Sequence, residues 1–312
     1  MRTGVGLLPF LLVDSFRDVQ LGNQVRHSGR RLRLVQEPLA VQQDTLSGTE
    51  QYQQCFAGRA GDWVIRVPRT VTARKRVARQ TRVYQVLAAR GVPVPRDAQI
   101  VHDADDEVTA GLYRYVPGVP ASAARRSPVL ARDLGAFLTA LHAVPLESVR
   151  ACCTVLGDLW TDRFRIRWER SRSHLPAAER QWLEGVIARF LASPETKSTR
   201  LVMIHGDLVE EHVLVGPDGR LAGVIDPSGP WIADPALDVG TLAERFGWVF
   251  ADAVLTSYAG PRDPGFERRA CFCANVRPLV TIEIGLRRQG EEWLRLGLRR
   301  LAERMAEGRE SW

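Results

Sequence analysis

Between Arg200 and Asp226 the chain reads "RLVMIHGDLVEEHVLVGPDGRLAGVID", and no other stretch restricts the possible folds as much. Three brief apolar runs, "RLVMI", "HVLVG" and "RLAGVID", read as short strands in a half of the chain that is otherwise helical, and "GPDG" from Gly216 to Gly219 supplies a hairpin turn. The first run puts Asp207 at the exit of a buried strand. Asp226 ends another strand, which the hairpin pairs with "HVLV" close to the first. Asp207, His212 and Asp226 are therefore expected to converge at one end of a small ribbon.

The rest of the chain divides around this ribbon. From Arg31 to about Val67 the pattern is strand-like: "RLRLV" alternates, "QYQQCFA" suits a strand, and "DWVIRVP" alternates up to Pro68. "TARKRVARQTRVYQVLAARG" reads as a helix stopped by Gly91, "VPVP" forces extended chain, and "EVTAGLYRYV" reads as a strand pair reaching a turn at "PGVP". After Pro128 come the amphipathic helices "VLARDLGAFLTALHAV", "LWTDRFRIRWERSR" and "AAERQWLEGVIARFLAS". Beyond the ribbon lie "DPALDVGTLAERFGWVFADAVLTSY", "ERRACFCANVRPLVTIEIGLRRQ" and "EEWLRLGLRRLAERMAE". The expectation is an α+β chain with a sheet-rich lobe over residues 1–116 and a helical lobe over 117–312, joined at the "YVPGVP" hinge.

Composition narrows the function. No stretch approaches the roughly 20 apolar residues that span a bilayer, and "VGLLPFLLV" is followed by "DSFRDVQLG" instead of a signal-peptide cleavage site. The five cysteines, Cys55, Cys152, Cys153, Cys271 and Cys273, are odd in number and lack ligand-like spacing, so neither a disulfide framework nor a zinc site is expected. A cytoplasmic monomer, with no membrane partner, fits best. The net charge of +7 suits an anionic ligand such as a nucleotide. No sheet-borne aromatic and basic motif marks a nucleic-acid module, so none is expected as a partner.

Two carboxylates and a histidine at a ribbon's end suit phosphoryl transfer, in which one carboxylate takes or orients the acceptor hydroxyl's proton and another holds the magnesium that neutralises phosphate charge. Each aspartate taken alone is as well explained as a turn residue. The motifs "HGDLVEEHVLV", "GRLAGVID" and "DPALDVG" resemble the aminoglycoside and macrolide phosphotransferase family, which has the protein-kinase-like fold, and "WVIRVPR" and "LTALHAVP" extend the likeness from about Arg31 to Glu303. His212, where most members have asparagine, and the phrases "DWVIRVPR" and "ALHAVP" look most like the macrolide 2′-phosphotransferases.

The resemblance implies ATP or GTP as phosphate donor, Mg2+ as cofactor, and a small-molecule acceptor. Asp207 matches the catalytic aspartate, Asp226 the main magnesium ligand, and His212 the second metal-binding position. Because magnesium prefers oxygen, His212 is a weak ligand, a partner for a phosphate or metal-bound water, or a brace for the loop. Arg66 stands where kinases carry the strand lysine, and "LSGTEQY", with Ser47 and Gly48, where a nucleotide-covering loop belongs, although it lacks GxGxxG. Tyr115 and Val116 should meet the purine through backbone groups. Two departures stand out: Gln80 replaces the glutamate that pairs with the strand cation, and Gly229 and Pro230 lie where relatives often have an acidic residue.

His205 is expected to fix the loop, Asp234 to cap a helix, and Asp238 to bind substrate or brace the loop. Glu211 beside the catalytic loop and Trp231 are acceptor-side candidates. Phe246, Trp248 and the helix from Val276 to Leu286 are either walls of an apolar pocket or core. Two functions remain: an antibiotic O-phosphotransferase, with a macrolide as the favoured acceptor, and a catalytically impaired kinase-like binding or regulatory protein.

Overall fold

The structure, a computed structural model, describes residues 55–157, 163–198, 200–227, 230–288 and 290–309. The run "RLRLV", the loop with Ser47 and Gly48, the first residues of "QYQQCFA" and of "LWTDRFRIRWERSR", and Gly229 lie outside the described residues.

β1 (Cys55–Ala60) and β2 (Trp63–Pro68) form an antiparallel hairpin in register from Cys55↔Pro68 to Ala60↔Trp63. α1 (Val71–Ala88) follows, capped by the Thr70 hydroxyl, which accepts from the Ala73 amide at 3.1 Å. Its buried face carries Val77, Gln80, Thr81, Tyr84 and Leu87. β3 (Gln99–His102) and β4 (Val108–Arg114) complete an antiparallel sheet in the order β1-β2-β4-β3. α1 lies against β4 at Gly111, where a Cβ would come within 2.7 Å of Thr81 Oγ1. "EVTAGLYRYV" thus forms one strand, not a pair. Its hairpin partner precedes it, because Asp103 Oδ1 accepts from the amides of Asp105 and Glu107 at 3.0 and 2.9 Å and turns the chain ahead of Val108.

The remaining chain is mainly helical. β5 (Val119–Pro120) leads to α2 (Pro128–His142), which has Ser127 as cap and proline in its first turn. Next come α3 (Leu146–Val149), β6 (Thr154–Val155), α4 (Arg165–Ser171) and α5 (Ala177–Leu191). β7 (Val202–Ile204), β8 (Val213–Val215) and β9 (Leu221–Val224) match the three apolar runs but divide between two sheets. β8 and β9 make the expected hairpin, with Gly219 at φ 76°, and β5 joins β8. β7 instead pairs with β10 (Trp231–Ala233), which also takes β6. The sequence reading had not placed a strand there.

α6 (Ala236–Phe246), α7 (Trp248–Leu255), α8 (Phe266–Val276), α9 (Pro278–Arg288) and α10 (Glu291–Glu307) close the fold. Two stretches read as single helices are each divided. Gly247, at φ 80°, separates α6 from α7, and Pro278, which has no N–H to donate, separates α8 from α9. One core gathers Tyr84 and Leu87 of α1 with Leu130, Leu134, Val239 and Leu242, so the sheet-rich and helical parts share it. A second lies between α5, α8, α9 and α10, where Phe190 stacks on Phe272 at 3.7 Å. No described helix is long and apolar enough to cross a membrane.

Candidate active site

β7 delivers the chain into a loop held from below by Asp238. This aspartate, in the first turn of α6 and 0% exposed, accepts the His205 amide at 2.9 Å and the Gly206 amide at 2.7 Å, and His142 Nε2 lies 3.1 Å away. His142 Nδ1 in turn meets the Tyr258 hydroxyl at 2.7 Å. Burial would raise the Asp238 carboxyl, but the hydrogen bond and charge of His142, with further donors, hold it below its ordinary range. Asp238 therefore braces the loop, and its burial removes it from the acceptor-contact candidates.

The ring of His205 spans the loop. Its Nε2–H donates to the Ile225 carbonyl at 2.9 Å, while Nδ1 accepts the Asp207 amide at 3.3 Å, an arrangement that requires the neutral ring. Burial lowers its pKa in the same direction. His212 donates Nδ1–H to the Asp207 carbonyl at 2.9 Å. In the neutral ring its Nε2 is then a lone pair, buried and without a partner, 4.0 Å from Asp226 Oδ2.

Asp226 lies on the other side of that gap, in the left-handed region at φ 55°, with its amide donating to the Tyr84 hydroxyl at 2.8 Å. Its Oδ1 accepts from Arg66 Nη1 at 2.8 Å and from Gln80 Nε2 at 2.6 Å. Arg66 Nη1 also donates to Gln80 Oε1 at 2.7 Å, a hydrogen bond from a cation to a neutral amide. Burial pushes the Asp226 carboxyl up, but the Arg66 guanidinium and the hydrogen bonds from Arg66 and Gln80 outweigh it and hold the group well below the usual carboxylate range. The sheet, α1 and the ribbon thus meet at one oxygen atom. Nearby, the Tyr115 amide is committed to the Asp62 carbonyl at 2.8 Å, and Arg59 stacks on the Tyr115 ring at 3.7 Å. The Val116 side chain lies against Gly223 of β9.

The acceptor-side candidates fare differently. Glu211 pairs with Arg245 at 2.8 Å, and Glu210 pairs with Arg245 at 2.6 Å and Arg126 at 3.2 Å, so both carboxylates are already engaged. Trp231 is half-buried, with the Arg163 guanidinium 3.8 Å over its ring. Phe246, Trp248, Val276, Leu279 and Ile282 are buried in the two cores, so these expected pocket walls are packing residues. One residue escaped the sequence reading: Arg277, between α8 and α9, places Nη2 2.6 Å from Asp207 Oδ1. Its only signal in the sequence was its position before a helix-breaking proline.

The unpartnered Nε2 of His212 facing Asp226 Oδ2 is an observation that fits a divalent cation. Among the described residues no group of three or more His, Cys, Asp or Glu side chains is arranged to hold a metal. A magnesium ion held by this pair would complete its shell with phosphate and water oxygens, as that ion usually does.

The fold has counterparts among solved structures. The solved chain of the GDP complex of wild-type aminoglycoside 2′-phosphotransferase-IIIa superimposes with a TM-score of 0.70 at 22% identity, covering 84% of this chain and 92% of that one. Macrolide 2′-phosphotransferase MphH from Brachybacterium faecium gives 0.59 at 24% identity, covering 79% and 88%. Macrolide 2′-phosphotransferase type I gives 0.60 at 20%, covering 79% and 90%. The fold is therefore the kinase-like α+β fold of these enzymes. The model of the phosphotransferase enzyme family matches residues 47–271, well over half of the sequence, and the chain belongs to that family.

Proposed function

We propose that the chain moves the terminal phosphate of ATP or GTP to a hydroxyl of an antibiotic-like small molecule. The observation that carries this reading is the pairing of Asp207 and Asp226 across His212, whose Nδ1 is 3.7 Å from Asp207 Oδ2 and whose Nε2 is 4.0 Å from Asp226 Oδ2. Asp207 receives or orients the acceptor hydroxyl's proton. Asp226, with His212, holds magnesium, which when bound neutralises charge on the phosphates. Arg66, fixed by Gln80, offers its fork of donors to phosphate oxygens, and the loop with Ser47 and Gly48 covers them. The purine meets the Tyr115 carbonyl and the backbone of Val116 at the hinge between a nucleotide-binding lobe, 1–116, and an acceptor-binding lobe, 117–312. Support for a nucleotide donor comes from the GDP complex of the relative that superimposes at 0.70.

For the acceptor we propose a bulky natural product of low positive charge, with macrolides as the first class to test and polycationic aminoglycosides disfavoured. The net charge of +7, the pairing of Glu210 and Glu211 with arginines, and the Arg277 guanidinium on Asp207 support this order. A second reading, a kinase-like binding protein of impaired turnover acting as a soluble cytoplasmic monomer, draws on the capture of both aspartates by arginine. A magnesium-dependent thermal shift with ATP and GTP, followed by product assays on macrolides, aminoglycosides and cyclic peptide antibiotics, separates the two. Phosphorylated product establishes transfer; nucleotide binding with silence across the panel favours the second reading.

A further inference from the structure

The acceptor side of the site carries an arginine that the transfer reaction itself does not explain. Arg277 binds the oxygen of Asp207 at 2.6 Å, and its side chain is only 17% exposed, that of Asp207 13%. If Asp207 turns to an acceptor hydroxyl, this enclosed guanidinium loses its counter-charge, and leaving a largely buried cation without an oxygen partner is costly. Among the described residues, the carboxylate next to this arginine cluster is already committed. On α4, packed against α9, Arg167 and Arg170 already share Glu283, at 3.2 and 2.5 Å. Burial, and after it the like charge of Arg277, push the Arg167 pKa down. Arg163 covers Trp231, whose strand partner Ile204 is three residues before Asp207. Among the described residues Arg167, Arg170 and Arg277 thus share two carboxylates, Glu283 and Asp207.

We propose that Arg277 is a specificity-determining residue that releases Asp207 by exchanging it for an anionic oxygen on the acceptor, so that the preferred acceptors are hydroxylated organic acids. A carboxylate near the reacting hydroxyl matches the two-donor fork of a guanidinium. An ammonium at the same place meets Arg277 and, behind it, Arg167. This inference rests on the phosphotransfer reading and extends its charge order: polycations rank below monocations such as macrolides, and acidic acceptors rank above both.

The test uses sugars that share a hydroxyl framework and differ in charge: glucuronate, glucose and glucosamine. With magnesium and nucleotide present, ligand-observed NMR should show the whole protein binding glucuronate about tenfold or more tighter than glucosamine, with glucose between. Arg277→Gln should bring the three within about twofold of one another, and Arg277→Lys should restore part of the order. A nucleotide-dependent thermal shift reports that each variant is folded. Glucosamine binding as well as or better than glucuronate, no measurable preference in the parent, or a preference that survives in Arg277→Gln would each overturn the assignment. Failure of the phosphotransfer reading looks different: no magnesium-dependent nucleotide binding and no phosphorylated product from any acceptor.

Discussion

The two aspartates of the site are held in contrasting ways. Asp226 is fixed by three groups: Arg66 and Gln80 on one carboxylate oxygen and the Tyr84 hydroxyl on its amide. Asp207 has its backbone tied by His205 and His212, while its side chain meets a guanidinium, Arg277, from the far end of the helical part. The grip on Asp226 joins β2, α1 and the ribbon, and it is independent of what the acceptor is. The grip on Asp207 occupies one carboxylate oxygen, which under the proposed reaction an acceptor hydroxyl would approach. The difference teaches that Asp226 is held by several elements at once, whereas the Asp207 side chain depends on one guanidinium.

The widest gap between the two sides should appear in Asp207→Ala, which should lower turnover on the order of a hundredfold or more while nucleotide binding persists. Parent-like turnover in that variant would show that Asp207 is not the group that handles the proton. Asp226→Asn should do the opposite, weakening magnesium-dependent nucleotide binding by about tenfold, since a neutral amide is the poorer ligand for a hard cation. Equal thermal shifts with and without magnesium, in parent and variant alike, would remove the metal from the donor side.

A smaller effect concerns the ring that ties the two sides together. His205 is held neutral by burial, so its folded pKa lies below the ordinary value of about 6.5. Below that value the unfolded chain takes up a proton that the folded chain resists, and stability falls as pH drops from about 6.5 toward the folded pKa. Asp226 and Asp238, whose pKa values are depressed, keep contributing until pH falls through the carboxylate range. A melting temperature that declines between pH 7 and 5 in the parent, and less in His205→Gln, is expected. A flat profile would refute it. The smallest change should come from His212→Asn, which should preserve or improve magnesium-dependent nucleotide binding, because an amide oxygen is a harder donor than imidazole. Loss of all metal dependence there would give the imidazole a role of its own.

What could be read from the sequence follows the same division. The hairpin of β8 and β9 was legible because apolar alternation and the "GPDG" turn agree, and the positions of Asp207 and Asp226 came with it. β10 was hidden: it is three residues long, and its partners β6 and β7 lie far away in sequence. Arg277 is one cation in a chain with 43 Lys and Arg, and nothing local distinguishes it from a solvated surface residue. The burial of Phe246, Trp248 and Ile282 likewise depends on how helices pack, which periodicity alone does not reveal.

Pro278 has a consequence beyond dividing a helix. It touches neither aspartate, yet the chain break it imposes leaves Arg277 at the end of α8, where the Arg277 amide still bonds the Cys273 carbonyl at 2.9 Å and its own carbonyl accepts from Val280 at 2.9 Å. If Arg277 sets acceptor preference as proposed, a replacement at Pro278 would alter that preference by moving Arg277. Under that proposal, chains that differ only at this joint would share one transfer chemistry and differ in the acceptors they prefer, a divergence that a comparison limited to the "HGDL" and "VIDP" motifs would overlook.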